Sequence, residues 1–322
     1  MLPDIQTRRP LGRTTFVVGP LCIGTAPLGD MPDAYSVRVS EAQALVTLRA
    51  AFASPIDFFD TSNNYGDGRA ERRIGIVLQE IGGLGAARVL ATKADRDMTT
   101  GDFSGDRMKR SIEESLQRLG LDRLQFAYIH DPEHSTFENI TSRGGALEAM
   151  QDLQRQGVIG GLGISGGPID MLIRYVETGA FDAVETHNRF TLLNRSAQPL
   201  LDVCAARGVA VINAAPYGSG LLAKGPDAFA RYAYQDAPAP LVDRARRLQT
   251  LCREHDVPLA AAALQFSMRD PRVTSTVIGM TRPERVTQTI ELATTPIPDA
   301  LWPALETVGH DMDDPEANRW TT

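Results

Sequence analysis

The chain has little cysteine. Cys22, Cys204 and Cys252 lie far apart in 322 residues, which excludes a disulfide framework and a CxxC metal or redox pair. There is no HExxH either, so a metal ion has no obvious ligands. Positive charge is in short supply. Lys and Arg number 33 against 40 Asp and Glu, a formal net charge of −7. That balance argues against nucleic acid or an anionic membrane surface as partner. No apolar run approaches the ~20 residues of a membrane span. Met1–Pro10 carries arginines without the apolar stretch of a secretory leader. Tandem repeats and low-complexity tracts are also missing. The expectation is a reduced, soluble, cytoplasmic protein that meets a small molecule. Nothing in the chain predicts its oligomeric state.

Hydrophobic residues make up 43% of the chain and charged ones 23%, enough for a large folded core. Eight short runs rich in Val, Ile, Leu, Phe or Ala read as strands buried on both faces. They are Pro20–Ala26, Asp57–Thr61, Val89–Lys93, Gln125–His130, Ile159–Ser165, Ala183–His187, Val209–Ala215 and Ser275–Gly279. Helix-spaced stretches alternate with them: Glu41–Phe52, Gly68–Gln79, Ser104–Leu119, Gly144–Gln156, Pro168–Glu177, Ser196–Arg207, Pro240–His255 and Pro283–Leu292. Ser104 suits an N-cap, and Gly120 and Gly157 follow helix ends. Eight β/α alternations predict an α/β protein, a (β/α)8 TIM barrel formed by residues 1–322 as one unit. An N-terminal β-hairpin over residues 8–18 would plug the barrel floor. Leu259–Arg269 is an extra helix, and residues 310–322, with Trp320, form a polar extended tail. An open doubly wound sheet competes, but the first strand is followed by Gly24–Gly29, GTAPLG, where that fold wants GxGxxG.

In such a barrel, function gathers at the C-terminal strand ends. Asp60 sits at the end of the second strand, with Tyr65 five residues on. Lys93 ends the third, His130 and Asp131 the fourth, Ser165 the fifth and Asn188 the sixth. A tyrosine hydroxyl, pKa near 10, moves protons near neutrality only if its ionised form is stabilised. A nearby ammonium does that, and a lysine inside a barrel needs a counter-ion such as Asp60. An imidazole close by can orient a carbonyl or alcohol oxygen. Each residue alone has a structural explanation, but four at consecutive strand ends are harder to explain by packing.

DTSNNYG with GRAE after it, ATK, YIHD, GIS and the late VIGMTRPERV together resemble the aldo-keto reductase family over nearly the whole chain. Within it, APYGSGLLAKGP, YAYQDAP, VPLAAAALQF and DPEANRW are similar to the bacterial D-threo-aldose, L-fucose-type and pyridoxal dehydrogenases. The resemblance implies Tyr65 as general acid/base, Lys93 as its partner, Asp60 as the lysine's counter-ion and His130 as substrate orienter. It implies NAD or NADP as cofactor, with Ser165 and Asn188 at the carboxamide. Further cofactor positions would be Gly24, Thr25, Asp60, Ala214, Pro216, Tyr217, Gly218, Ser219, Gly220, Leu221, Ile278, Gly279, Met280, Arg285 and Gln288.

Three departures from the family pattern stand out. Gly166, not Asn, follows Ser165. Ala214 takes the place of a nicotinamide-stacking tyrosine, with Tyr217 three residues away as a substitute. Where NADPH-preferring relatives carry Lys, Ser and Arg, this chain has Gly279, Met280 and Arg285. Two of three contacts to a 2′-phosphate are thus lost, which predicts NAD use at least as good as NADP. Lys93 and Arg285 are expected to make the mouth cationic. The Asn213–Pro238 loop, with Tyr232 and Tyr234, would close over the pyrophosphate. Met31–Val39, with Tyr35, would border the substrate beside Tyr65 and His130. His187 is expected to point away from Asn188 and to have no role. The reading that follows is oxidation of an aldose or pyridoxal to a lactone. The alternatives are a general NADPH-dependent aldehyde or ketone reductase, and a non-catalytic nicotinamide-binding regulatory subunit.

Overall fold

The computed structural model describes residues 5–317. Its strands in chain order are β1 (Arg9–Pro10), β2 (Val17–Val18), β3 (Leu21–Gly24), β4 (Phe58–Asp60), β5 (Val89–Ala94), β6 (Phe126–His130), β7 (Leu162–Ser165), β8 (Ala183–His187), β9 (Ala210–Ala214), β10 (Arg231–Tyr232), β11 (Gln235–Asp236) and β12 (Val273–Gly279). Strands β3 to β9 and β12 pair in parallel and close on themselves, β12 lying between β9 and β3. All eight barrel strands fall within or beside the runs expected from sequence. The first is shorter, because the chain leaves Gly24 for a 3-10 turn at Ala26–Gly29. The fifth is also shorter at its start, where Ile159 makes only an isolated bridge to Leu124.

Helices cover the outside. Glu41–Ala53, Arg69–Glu80, Gly105–Leu119, Ala146–Arg155, Ile169–Glu177, Gln198–Arg207, Ala239–Glu254 and Glu284–Thr294 match the eight expected stretches within a few residues. Leu259–Arg269 is the extra helix. Ser104 caps its helix by accepting from the Arg107 amide, and Gly120 ends it at φ 66°. Sequence periodicity did not reveal the short helices Pro32–Tyr35, Phe137–Thr141, Leu221–Lys224 and Leu301–Glu306. At four to six residues they carry too few turns to show a pattern.

The lumen follows from the two-residue period of a strand. One inward set is apolar and fills the lower barrel: Cys22, Phe58, Ala91, Phe126, Tyr128, Ala183, Ile212 and Val277. The β1–β2 hairpin closes the bottom, with Leu11 and Val18 fully buried in that cluster and Phe16 packed on it. Gly163 in β7 makes room above, since a Cβ there would lie 2.3 Å from the Tyr128 ring. The tail at residues 310–317 forms no helix or long strand. It crosses beside Asn194 through one bridge to Asp311 and then buries Glu316 completely. The expected Trp320 end lies outside the described residues.

Leu11→Ala should cost about 2–5 kcal/mol of stability by opening a cavity under the lumen. Val17→Ala, at an exposed hairpin position, should change stability by under ~0.5 kcal/mol. Urea unfolding of both variants checks this, and equal midpoints would show that the hairpin does not act as a plug.

Candidate active site

Strand register brings the inward residues of the upper barrel to one level. Gly24 pairs with Asp60, Lys93 with Tyr128, His130 with Ser165, Ser165 with Glu185, His187 with Ala214 and Gly279 with Gly24. Above them opens a cavity of about 720 Å3, lined by Gly24, Asp60, Tyr65, His130, Ser165, Glu185, His187, Ala214 and Gly279, among others. Loop residues Met31, Tyr35, Tyr234 and Glu316 complete its walls.

The Lys93 ammonium is fully buried. It donates to Asp60 Oδ1 at 2.5 Å, the Thr61 carbonyl at 3.1 Å and Tyr65 Oη at 3.0 Å, and lies 3.4 Å from Glu185 Oε1. Burial pulls this lysine's pKa down, but Asp60 and Glu185 more than offset it and hold it charged. Two carboxylates share one ammonium. Burial pushes the Asp60 carboxyl up, with Glu185 adding to the shift and Lys93 opposing it. Burial also drives the Tyr65 hydroxyl well above its ordinary 10. Lys93 opposes that shift, while Asp60 and Glu185 add to it.

Tyr65 is held from outside the barrel. Its loop is clamped by the Gly105–Leu119 helix. Arg118 donates to the Asn63 carbonyl at 2.8 Å, and the Asn63 side chain donates to the Ser111 carbonyl at 3.0 Å. His130 meets Tyr65 edge-on, ring centres 6.0 Å apart. Its Nδ1 lies 2.6 Å from Asp95 Oδ1 and its Nε2 3.4 Å from Asp131 Oδ1. Burial lowers the imidazolium's pKa, yet Asp131 and Asp95 together carry it up to about 9.

Sequence reasoning gave no part to Glu185, Asp95 or Glu316. An acid two residues before the end of an apolar inward column was the available signal for Glu185. His187 was set aside wrongly. The expected opposition of His187 and Asn188 fails because Asn188 turns into the left-handed region at φ 59°. Both side chains then meet Glu316 Oε1, His187 Nε2 at 3.1 Å and Asn188 Nδ2 at 3.0 Å. Arg189 joins the same oxygen at 3.2 Å. These donors hold the Glu316 carboxyl down at about 2 despite burial.

The remaining expected positions divide. Gly24, Ser165, Ala214 and Gly279 line the cavity, as does Tyr35. Thr25 donates to the Asp60 carbonyl, and Met280 is buried. Tyr217 packs into the outer core and does not line the cavity. Tyr234 is the aromatic that does, 6.2 Å from Tyr35 and 6.0 Å from His187. It stands at the turn of the β10–β11 hairpin, which Tyr232 ties down by donating to the Asn188 carbonyl at 2.7 Å. Gly218, at φ 53°, leaves space for that Tyr232 ring. Pro216, Ser219, Gly220, Leu221 and Ile278 lie around this hairpin and strand end without lining the cavity. Arg285 donates to Gln288 at 2.8 Å, also outside the lining. The mouth is therefore acidic, not cationic as expected. Asp33, Asp131, Glu133 and Glu316 line it, and among the described residues no Lys or Arg does. Lys93 lies too deep and is outweighed by its own two carboxylates.

Replacing Glu185 by Gln should stabilise the fold above neutrality. A carboxyl whose folded pKa is raised, as Asp60's is, loses stability as pH climbs from the ordinary carboxylate range toward the raised value. Without Glu185, Asp60 and Lys93 form a neutral pair. Glu185→Gln should melt about 2 °C or more above the wild type at pH 8, with the gap closing toward pH 5. Calorimetric melts at both pH values test this, and an equal or lower melting point at pH 8 would refute it.

No helix among the described residues is long and apolar enough to cross a membrane, and none of their His, Cys, Asp and Glu residues group as a metal site. Residues 20–309 match the Aldo/keto reductase family. The chain is 32% identical to pyridoxal 4-dehydrogenase of Microbacterium luteolum, covering 94% of this chain and 97% of that one. It is 34% identical to D-threo-aldose 1-dehydrogenase of a Pseudomonas species, covering 83% and 88%. An aldo-keto reductase of Bacillus halodurans, solved in its holo form, has the same fold, with a TM-score of 0.77 at 22% identity over 97% and 99% of the two chains. The chain belongs to the aldo/keto reductase family and is an NAD(P)-dependent oxidoreductase.

Proposed function

We propose that the protein oxidises a cyclic hemiacetal, an aldose of the L-fucose or D-threo type or pyridoxal, to a lactone. The observation that carries this reading is the Asp60–Lys93–Tyr65 chain ending beside His130 in an acidic cavity. Its wall carboxylates can accept hydrogen bonds from substrate hydroxyls, and they repel anions. The names of the two relatives at 32% and 34% identity point the same way.

In this reading the anomeric C–H leaves as hydride and the anomeric O–H as a proton, and the C=O of the lactone forms. When bound, the nicotinamide ring supplies the hydride acceptor. Tyr65 Oη takes the proton, Lys93 stabilises the phenolate that does so, and Asp60 holds Lys93. His130 donates to the substrate oxygen and fixes its angle. The residues at the mouth fit a flat carboxamide-bearing ring. Gly24, Ala214 and Gly279 form a wall with little side chain. Glu185 Oε2 and Asn188 Oδ1 have no hydrogen-bond partner among the described residues, and Ser165 Oγ lies 3.4 Å from Glu185 Oε1. Ser165, Asn188 and Glu185 would hold the carboxamide. Tyr35 would border the substrate.

Cofactor choice follows from the residues after β12. Gly279 has no side chain and Met280 is buried, so neither offers a polar contact to a 2′-phosphate. Arg285, paired only with neutral Gln288, is left as the one cation of the expected set. The enzyme should therefore use NAD at least as well as NADP.

Three outcomes are expected. Tyr65→Phe should lose about 100-fold or more in turnover while binding cofactor normally by fluorescence titration. Unchanged turnover would reject the proton-transfer role. The NADP/NAD ratio of kcat/KM should stay below ~100, or ~2.7 kcal/mol, and a larger ratio would overturn the cofactor assignment. Neutral aldoses or pyridoxal should be oxidised far faster than the corresponding sugar phosphates. Absence of any oxidation, with NADPH-driven reduction of simple aldehydes and ketones, would establish the general reductase instead.

A further inference from the structure

His130 lies between carboxylates on both ring nitrogens. Asp95 Oδ1 is 2.6 Å from Nδ1, and Asp131 Oδ1 is 3.4 Å from Nε2. The two acids are not alike. Asp131 is partly exposed at the cavity rim, where a substrate oxygen can replace it. Asp95 is buried, and its other oxygen, Oδ2, is committed. Oδ2 accepts from the Ser62 hydroxyl and, at 3.0 Å, from the Asn64 amide. The Asp95 amide itself donates to Ser111 Oγ at 2.9 Å, and its carbonyl accepts from Arg107 at 3.0 Å. A residue held by two bonds to its carboxylate and two to its backbone presents one oxygen to one imidazole nitrogen. A neutral imidazole has a single N–H, and here that N–H is taken up at Nδ1 by Asp95. Only the charged form also carries a hydrogen on Nε2, the nitrogen within ion-pair distance of Asp131.

We propose that Asp95 is a positioning residue for His130, fixing the ring with Nδ1–H turned away from the cavity and keeping it cationic, so that Nε2–H is always available to donate to the substrate oxygen. This rests on the reading of His130 as the substrate orienter. The charged groups facing the ring are Asp131 on its own strand end, Asp95 from the end of β5, Lys93 from β5 and the Tyr65 hydroxyl from the loop after β4. Burial and Lys93 oppose a positive ring, and the lysine's charge is already engaged by Asp60 and Glu185. A cationic donor suits the reaction in both directions. It polarises a carbonyl oxygen for hydride addition. It also steadies the developing negative charge on a hemiacetal oxygen as Tyr65 removes the proton.

Asp95→Asn tests the assignment through hydrogen-bond polarity. The Asn64 amide and the Ser62 hydroxyl both donate to the Oδ2 position, so the asparagine oxygen must sit there. Its NH2 then faces Nδ1, which must become an acceptor. The ring is forced to the neutral Nε2–H form. Nitrogen-15 NMR of the substrate-free protein, with His130 assigned by difference from His130→Gln, should show a wild-type ring protonated on both nitrogens at pH 7. It should titrate near 9, the value its two acids set. In Asp95→Asn the ring should be neutral at pH 7 and titrate well below the wild-type ring. The pH profile of kcat/KM should move with it, and kcat should fall about 10- to 100-fold with cofactor affinity unchanged.

A wild-type ring neutral at pH 7 would overturn the proposal without any variant. So would an Asp95→Asn protein whose ring titration and pH profile match the wild type. The NMR measurement needs no substrate. A charged His130 in a protein that oxidises no hemiacetal would count against the functional reading alone, and a neutral His130 in an active enzyme against this proposal alone.

Discussion

One buried ammonium organises the upper half of the barrel. Lys93 has no water contact, so its charge must be answered inside the protein. Asp60 answers it from the adjacent strand β4 and Glu185 from β8 across the lumen, and the Thr61 carbonyl adds a further acceptor. That arrangement needs a dry, closed wall, which eight parallel strands supply, and a sealed floor, which the N-terminal hairpin supplies. It also dictates where Tyr65 goes. The tyrosine hydroxyl takes a remaining donor site of the ammonium, and the loop that carries it is pinned to the Gly105–Leu119 helix.

The same strand period builds two unlike layers. Below Lys93 the inward positions are Phe, Tyr, Ala, Cys and Val, packed by contact alone. Two or four residues further along their strands they become Asp60, His130, Ser165, Glu185 and His187. The apolar layer keeps the ionic one at low dielectric, where hydrogen bonds and charges act strongly. The tail adds a third level. Glu316 gathers His187, Asn188 and Arg189 on one carboxylate, so residues far apart in sequence fix the rim of the mouth.

The barrel was legible because its strands are dense apolar runs broken by Gly, Asp and Pro, and its outer helices run for about two and a half turns or more. Asp60, Tyr65, Lys93 and His130 stand out because polar residues at successive strand ends have no packing explanation. What was not legible depends on closure. Asp95 lies just past the periodic part of β5, and only the folded loops reveal its histidine partner. Glu316 sits in a polar tail where one more acid carries no signal. The His187–Asn188 misreading has a local cause, since extended alternation was applied to a residue that adopts φ 59°. The acidic mouth was missed for a related reason. Counting Lys93 and Arg285 as mouth cations takes no account of depth, or of the carboxylates that strand register brings beside the lysine.

The second carboxylate beside Lys93 has a consequence for the proton. Lysine beside tyrosine suggests a ready phenolate, yet burial outweighs Lys93 here, and Asp60 and Glu185 add to burial. Tyr65 therefore keeps its proton in the free protein. On the reading proposed above, this gives the residue two behaviours in one geometry. With a neutral, reduced nicotinamide in the mouth, Tyr65 remains a hydroxyl and acts as an acid toward a carbonyl. An oxidised nicotinamide carries a positive charge, which favours the phenolate and makes Tyr65 a base toward a hemiacetal. Glu185, 3.4 Å from both Lys93 and Ser165, would favour the positively charged ring over the neutral one by simple Coulomb attraction. A mouth of this charge would thus hold the oxidised cofactor more tightly than a neutral mouth of the same shape, so more of the resting enzyme would carry the hydride acceptor.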